Sequence, residues 1–158
     1  MLRRPTVALL IALTSLTGCS GDEPDAAGNL CDLVHDGELP AGEHAAEGFP
    51  KPSDPGEDEG CRWETDKGSS LDLAVWKWLK AETLGEQWKV RPRRLGGRDV
   101  YVHPSGFTEP GGPAIECSAG VQRGGDLLRL RFQIEEPRGD LCAQLDPLLT
   151  KIAERLPA

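Results

Sequence analysis

Residues 114–134, AIECSAGVQRGGDLLRLRFQI, decide the fold of this chain. In the second half of the stretch, an apolar side chain recurs at every other position: Leu128, Leu130, Phe132 and Ile134. Residues two apart in an extended strand point to the same side, so this alternation predicts a strand with one buried face. Gly124-Gly125 separates it from an earlier apolar run. We therefore predict a β-hairpin of residues 114–121 and 127–134, closed by residues 123–126.

Weaker alternation on the N-terminal side of the hairpin predicts further strands. Residues 71–78 would place Asp72, Ala74, Trp76 and Trp78 on one face and three aliphatic residues on the other. Residues 61–65 and 94–103 are also predicted strands, the second interrupted at Gly96-Gly97 by a bulge or a tight turn. Residues 104–113, rich in Gly and Pro, are predicted to form a loop around an exposed Phe107.

Helical periodicity is clearest at the C terminus. The apolar residues there recur at helical spacing: Leu141, Leu145, Leu148, Leu149, Ile152 and Leu156. Asp140 is a typical N-cap, and Pro147 inside the pattern indicates either a kink or a second helix capped by Asp146. Shorter helices are predicted over residues 30–37 and 79–88. Residues 39–60, which carry an acidic run, are predicted to form a long solvated surface loop.

These elements predict a single α+β domain over residues 30–158. We expect an antiparallel β-sheet with helices packed on one face. The length suits one domain, and a core of this size can be stable without a metal or cofactor. We expect no cofactor.

The first 18 residues have the three regions of a secretory signal: Arg3-Arg4, an apolar run from Val7, and small residues at Thr17 and Gly18. The run is about half the roughly 20 residues of a membrane-spanning helix. Cys19 directly follows Leu16-Thr17-Gly18 and resembles a bacterial lipobox. That resemblance implies cleavage before Cys19, lipid on its sulfur, a tether over residues 19–29, and a place at the outer face of the cell membrane. The alternative is a secreted protein with an unpaired Cys19 thiol.

The other cysteines, Cys31, Cys61, Cys117 and Cys142, are even in number, which in an exported chain predicts two disulfides. Three pairings are possible. We favour Cys31 with Cys61 and Cys117 with Cys142, because each would join a predicted helix to a predicted strand. The close spacing of a zinc site is missing, so no metal is expected.

The charge of the chain limits its partners. The whole sequence has a net charge of −8, and removing the leader with its two arginines leaves 16 basic and 26 acidic residues, or −10. Nucleic-acid binding needs a basic surface, so we expect no nucleic-acid partner. Attraction to an anionic membrane by charge alone is excluded for the same reason.

Two features indicate binding. Trp76 and Trp78 could form an aromatic platform with Trp63 or Trp88, or line a cleft together with Phe107, although buried packing is the commoner role of tryptophan. The second feature is a basic cluster that could bind an anionic polymer or an acidic partner. The alternative is that these basic residues form an ordinary solvent-exposed face. The candidate residues of this cluster are Arg91, Arg93, Arg94 and Arg98.

No catalytic constellation is visible. Asp99, His103 and Ser105 are close in the sequence, but no nucleophile elbow surrounds the serine. An enzyme would need these three side chains to converge within hydrogen-bond distance. We therefore predict a protein without enzymatic activity and name no catalytic residue.

Several short motifs together resemble a family of actinobacterial lipoproteins with a four-cysteine domain of unknown function. The motifs cover most of residues 30–157: Cys31-Asp32-Leu33, Cys61-x-Trp63, Gly97-Arg98, Cys117, Cys142 and Leu156-Pro157. The layout is also loosely similar to the two-disulfide extracellular sensor domains of some bacterial serine/threonine kinases. The resemblance implies an antiparallel sheet with packed helices and supplies no catalytic residues. The acidic, Pro-rich segment before Cys61 departs from the family.

The sequence thus predicts a membrane-anchored, non-enzymatic binding or accessory module for an envelope ligand or a membrane protein. The alternative is a structural lipoprotein that supports an envelope complex and has no small-molecule pocket.

Overall fold

The computed structural model describes residues 29–45, 47–51 and 56–157. The predicted signal peptide, Cys19 and most of the tether lie outside the described residues. No helix within the described ranges is both long enough and apolar enough to cross a membrane.

A seven-stranded antiparallel sheet forms the centre of the fold. Its strands are β1 (Phe49–Pro50), β2 (Glu59–Glu64), β3 (Ser70–Trp76), β4 (Arg93–Leu95), β5 (Arg98–Phe107), β6 (Ala114–Arg123) and β7 (Asp126–Gln133). They lie in the order β1-β2-β3-β7-β6-β5-β4. Neighbouring strands are therefore joined by hairpins except at β3 and β7, which meet in the middle of the sheet although they are far apart in sequence.

Two α-helices and two short 3₁₀ segments complete the fold. The α-helices are α1 (Ala81–Trp88) and α2 (Leu141–Arg155), and the 3₁₀ segments are Leu30–Leu33 and Pro40–Gly42. The Asp140 side chain caps α2 by accepting a hydrogen bond from the Ala143 amide, as predicted. The helix continues through Pro147, so the alternative of two separate helices is wrong.

The predicted α+β class with an antiparallel sheet and two disulfides is confirmed. The long helix α2 covers one sheet face, where Val102, Ala119 and Leu130 belong to one buried cluster with Leu145 and Ile152. The short helix α1 belongs to a smaller buried cluster with Leu127 and Tyr101. The residues next to these two in the sequence, Leu128 and Val102, belong to the cluster that faces α2. Because side chains alternate along a strand, α1 lies on the opposite face. The helices are therefore not confined to one face.

The hairpin that was predicted first is present with its expected register. Arg123 pairs with Asp126, leaving Gly124 and Gly125 as a two-residue turn, and Gly124 has a φ of 56°. A positive φ is easily adopted by glycine and costly for most other residues. The alternating residues Leu128, Leu130 and Phe132 are buried against α2.

Both favoured disulfides are present. Cys31 is bonded to Cys61, and Cys117 to Cys142, with Cα–Cα distances of 5.3 and 5.5 Å. The first joins the 3₁₀ segment Leu30–Leu33 to β2, and the second joins β6 to α2. Each bridge thus connects a helical segment to a strand.

Two predicted loops are more ordered than expected. Residues 39–60 contain β1 and the start of β2, and Leu39 and Glu43 are buried. Glu43 is bonded by Arg138 at 2.5 Å and by the Ser69 hydroxyl at 3.0 Å, so this segment is not simply a solvated loop. The supposed loop over residues 104–113 begins as strand, because β5 extends to Phe107.

Candidate functional site

The sheet face opposite α2 carries polar side chains arranged in rows across the strands. One row runs from Arg62 through Asp72, Arg131 and Ser118 to His103. The next row contains Ala74, Arg129 and Gly120, followed by Tyr101. These rows arise because β2, β3, β7, β6 and β5 pair in register, so that laterally aligned residues share a face.

Arg129 has small neighbours on both sides in its row. Ala74 on β3 and Gly120 on β6 are its direct cross-strand partners. The small Ala74 side chain leaves room on the β3 side of Arg129, and the space there belongs to a cavity of about 230 Å³. On the β6 side, the Leu84 side chain of α1 lies over Gly120. Asp72, Trp76 and Arg131 also line the cavity, together with the ion pair of Lys51 and Glu57. We call this cavity the Arg129 hollow.

The Arg129 guanidinium is partly buried and has no acidic partner among the described residues. Its Nε atom is buried without a hydrogen bond, and its central carbon lies 6.0 Å from the centre of the Trp88 ring. Such a cation–π contact contributes about 0.5–2 kcal/mol and supplies no hydrogen-bond acceptor. Leaving a buried donor unpaired costs about 1–3 kcal/mol. Arg129 is therefore a cationic donor that the described part of the protein does not satisfy.

Two tryptophans flank this arginine. Trp88, from the last turn of α1, stacks on His103 with ring centroids 5.4 Å apart and an angle of 16° between the planes. Trp76, the last residue of β3, has a buried indole nitrogen with no hydrogen-bond partner among the described residues. Two residues that line the hollow, Arg129 and Trp76, thus each carry an unsatisfied N–H donor, and Trp76 also adds apolar ring surface.

The other charges that line the hollow are paired. Asp72 accepts a hydrogen bond from Arg131 at 3.1 Å, and Lys51 lies 3.5 Å from Glu57. Within the described ranges, the lining has three cationic and two acidic side chains, a surplus of one positive charge. Arg129 is the unpaired member of this set. A positive, partly desolvated donor is suited to an anion or to a neutral acceptor group.

A larger open hollow, of about 490 Å³, lies at the end of the sheet that carries the β4–β5 and β6–β7 turns. Both of its arginines have partners: Arg94 pairs with Asp99 at 3.1 Å, and Arg98 bonds to backbone carbonyls. Tyr101 also lines it. Burial, followed by nearby carboxylates such as Glu82, raises the pKa of the Tyr101 phenol. In this larger hollow, therefore, both arginines already have hydrogen-bond acceptors.

The predicted aromatic cleft is not formed. β3 ends at Trp76, and Trp78 lies in the following turn with a φ of 63° and 88% of its surface exposed, so the two rings do not share a strand face. Phe107 is exposed, as expected, but it pairs with Ala114 at the opposite end of the sheet. Ten residues of β6 separate these ends by roughly 30 Å.

The arginines of the predicted basic cluster contact different parts of the structure. Arg93 is hydrogen-bonded to Asp146 on α2 at 2.9 Å, and Arg94 to Asp99. Arg98 donates to the carbonyl groups of Ala153, Leu156 and Pro157 at the C-terminal end of α2. Arg91 is exposed beside Lys89 and Tyr101. Arg98 therefore stabilises the helix end, where it satisfies carbonyls that lack helical partners.

The structure does not bring the three tested catalytic residues together. Asp99 and His103 are four residues apart on β5, which separates their Cα atoms by roughly 13 Å. The Ser105 hydroxyl donates to Glu116 at 2.8 Å, and His103 stacks on Trp88. Within the described ranges, no group of three or more His, Cys, Asp or Glu residues could hold a metal ion.

Sequence reasoning missed Arg129, Arg131 and Asp72 as site residues. The available signal was the alternation in residues 127–134, which buries Leu128, Leu130 and Phe132 and so places Arg129 and Arg131 on the other face. The alternation does not reveal that Ala74 and Gly120 stand beside Arg129, because that depends on which strands pair.

The chain was compared with protein-family models, curated proteins and solved structures, and no match was found in any of the three.

Proposed function

We propose that this protein is a non-enzymatic binding module that acts outside the cytoplasm and is held at the outer face of the cell membrane by lipid on Cys19. The observation that carries the binding role is the Arg129 hollow, where a partly buried guanidinium lacks an acidic partner among the described residues. A ligand with an acceptor group would satisfy this donor. The ligand is expected to be an envelope component or part of a membrane protein.

The two disulfides support an exported location. Disulfides persist in oxidising compartments and are rare in the cytosol. The bonds Cys31–Cys61 and Cys117–Cys142 both involve buried sulfurs in β2, β6 and α2, so they stabilise the domain from within. The lipobox-like residues before Cys19 add the membrane anchor to this location.

The chemistry of the hollow supports binding rather than catalysis. Its lining consists of arginines, a tryptophan, an alanine and acid–base pairs. Asp72 and Glu57 already pair with cationic groups, and among the residues that the structure describes no serine, threonine, cysteine or histidine lines the cavity. A hydrolytic or transfer reaction would need a nucleophile or a free base at this place.

The binding role is tested by photo-crosslinking in intact cells, with a photoreactive residue in place of Gln133 and identification of the captured molecule by mass spectrometry. Gln133 is exposed and lies on the same face of β7 as Arg129 and Arg131. We expect a defined adduct that is lost in Arg129→Gln. Arg94→Gln is the matched control, because Arg94 is an exposed arginine that pairs with Asp99. An adduct pattern that is the same in Arg129→Gln as in the parent would contradict the proposal.

The anchor is tested separately by fractionation. The parent protein should remain with membranes in high salt and be released by detergent, whereas Cys19→Ala should be soluble or unprocessed. A parent protein that washes free in buffer would contradict the anchor and leave the binding role to be judged by crosslinking.

A structural role in an envelope complex is the second candidate, and the exposure of Trp78 favours it. This ring is 88% exposed, while its backbone is held by a hydrogen bond from its amide to Asp126 at 3.1 Å. A left-handed conformation costs a non-glycine residue about 1–2 kcal/mol. Trp78→Gly should therefore fold at least as stably as the parent. Loss of a co-purifying protein in Trp78→Gly, with Arg129→Gln unaffected, would select the structural role.

A further inference from the structure

We infer that the Arg129 hollow binds an oxyanion, namely a carboxylate or phosphate group, with Arg129 as the principal donor and Trp76 as a second donor. This inference rests on the proposed binding function and adds the chemical class of the ligand. Three observations support it: the unsatisfied donors, the local charge, and the size and walls of the cavity.

The donors match an oxyanion. A guanidinium is a planar group with five N–H donors, and it binds carboxylate or phosphate oxygens in pairs. The Arg129 Nε atom is buried without a hydrogen-bond partner among the described residues. The indole nitrogen of Trp76, which also lines the hollow, is likewise buried without such a partner. A neutral hydroxyl offers one acceptor oxygen and no charge, whereas an oxyanion offers several acceptor oxygens and a negative charge, which match a guanidinium that has several donors.

The local charge favours an anion in spite of the acidic sequence. The whole chain has a net charge of −8, but the described lining residues of the hollow include three cations against two acids. Arg131 and Arg62 both lie near Asp72, at 3.1 and 3.7 Å, and these two cations offset the charge of the carboxylate, although its Oδ1 atom has no hydrogen-bond donor among the described residues. A positive site with low-dielectric walls concentrates anions locally.

The dimensions limit the ligand. A cavity of about 230 Å³ is smaller than the 300–1,000 Å³ typical of pockets for drug-sized molecules. It suits an oxyanion with a few further atoms, or the terminal oxyanion of a larger envelope molecule. The Trp76 side chain gives this space an apolar wall, where hydrogen bonds to an ionised group are stronger than in water.

The test uses the purified mature protein and two probes, sodium phosphate and sodium acetate, at constant ionic strength maintained with sodium chloride. Binding is followed by NMR of the tryptophan indole N–H and arginine Nε–H signals. The Trp76 and Arg129 signals should shift and saturate with at least one probe. Signals of Trp78, which is exposed at the turn after β3, should not follow the same curve. The probe that binds more tightly distinguishes phosphate from carboxylate.

The variants Arg129→Gln and Trp76→Phe keep the inference falsifiable if one of them fails to fold. A hydrogen bond to a charged group contributes about 1.5–3 kcal/mol, so Arg129→Gln should weaken binding by about tenfold to a hundredfold. Trp76→Phe should weaken it less, and Arg94→Gln should leave it unchanged. Absence of saturable shifts with both probes, or equal affinity in Arg129→Gln, would overturn the inference.

The same data separate this inference from the proposed function. If crosslinking at Gln133 captures a neutral ligand and neither probe binds, the oxyanion inference is wrong and the binding function stands. If the probes bind as expected but the cellular adduct does not depend on Arg129, the hollow is an anion site and the proposed function is wrong.

Discussion

Arg155, in the last turn of α2, binds both carboxylate oxygens of Glu38. The nitrogen–oxygen distances are 2.6 Å from Nη1 to Oε2 and 2.5 Å from Nη2 to Oε1. Arg155 also donates to the Leu33 carbonyl at 2.7 Å, and Lys151 lies 3.2 Å from Glu38. This contact attaches the N-terminal segment of the domain to its last helix, about 117 residues apart along the chain.

The first prediction concerns acid stability. The hydrogen bond from Arg155 lowers the pKa of Glu38 from 4.5 to about 2, against the opposing effect of burial. Because the folded-state pKa is lowered, the ionised carboxylate stabilises the fold fully above the unfolded-state pKa, and this contribution is lost as the pH falls from about 4.5 to 2. It amounts to at most about 3 kcal/mol. Urea unfolding from pH 7 to pH 3 measures it.

Glu38→Gln is the variant for this test. It should be less stable than the parent at pH 7, and the two should converge as the pH falls. Glu64→Gln is the control, because the Glu64 side chain is 67% exposed and lies 3.5 Å from Arg62, and such surface pairs contribute little. A constant difference between the parent and Glu38→Gln at all pH values would contradict the prediction.

The second prediction concerns Gly85 in α1. In an exposed helix, replacing Gly by Ala stabilises by about 1 kcal/mol. Here a Cβ on Gly85 would lie 2.2 Å from the Tyr101 ring, so Gly85→Ala should destabilise the fold by about 1–3 kcal/mol. Thermal unfolding measures the difference.

Two further variants isolate the steric cause at Gly85. Gly125→Ala is the control, since a Cβ there meets nothing within 4 Å. Replacing Tyr101 by Ala in the Gly85→Ala background should remove the penalty of the alanine. Additive effects of the two substitutions would show that the ring contact is not the cause.

The third prediction concerns the disulfide between Cys117 and Cys142. It closes a loop of 25 residues, and the loop-closure estimate for such a bridge is about 3–4 kcal/mol. Replacing both cysteines by Ala should lower the free energy of unfolding by this amount, as measured in urea. The equivalent pair at Cys31 and Cys61 should behave similarly. Thiol alkylation of the native, non-reduced domain should modify none of these four cysteines, and two modified thiols would contradict the pairing.

The fourth prediction concerns Arg98, which was a candidate binding residue from sequence. Its guanidinium donates to the Ala153 carbonyl at 3.0 Å, to the Gln122 carbonyl at 3.3 Å, and to two further carbonyls after α2. Arg98→Lys keeps the charge but not this geometry, so it should lower the free energy of unfolding by about 2 kcal/mol. Arg94→Lys, whose arginine is exposed, should change it by about 0.5 kcal/mol or less.

The sequence predicted best where local periodicity decides the structure. Leu128, Leu130 and Phe132 alternate and are buried, and Asp140 caps α2 as expected. The disulfide pairing followed from joining helical segments to strands. Trp78 was misplaced because its left-handed backbone is held by Asp126, which is 48 residues away. Alternation along a strand does not report such a distant contact.

The candidate site was not predictable for a related reason. Arg129 acquires its surroundings from Ala74 on β3 and Gly120 on β6. The pairing of β3 with β7 joins segments that are far apart along the chain, and no local pattern specifies it. The predicted arginines stood out by their density in the sequence, but Arg93, Arg94 and Arg98 contact partners that only the fold brings near them.

The two edge strands of the sheet, β1 and β4, affect whether crowded copies of this domain can associate through their sheets. β1 has two residues and includes Pro50, which has no amide hydrogen, and β4 has three residues, two of them arginines. A long edge strand has a row of unpaired backbone N–H and C=O groups to which a strand of another molecule can hydrogen-bond. Short edge strands that contain proline or charged residues offer few such groups. We therefore expect that crowded copies do not pair edge to edge and do not assemble into β-sheet fibres.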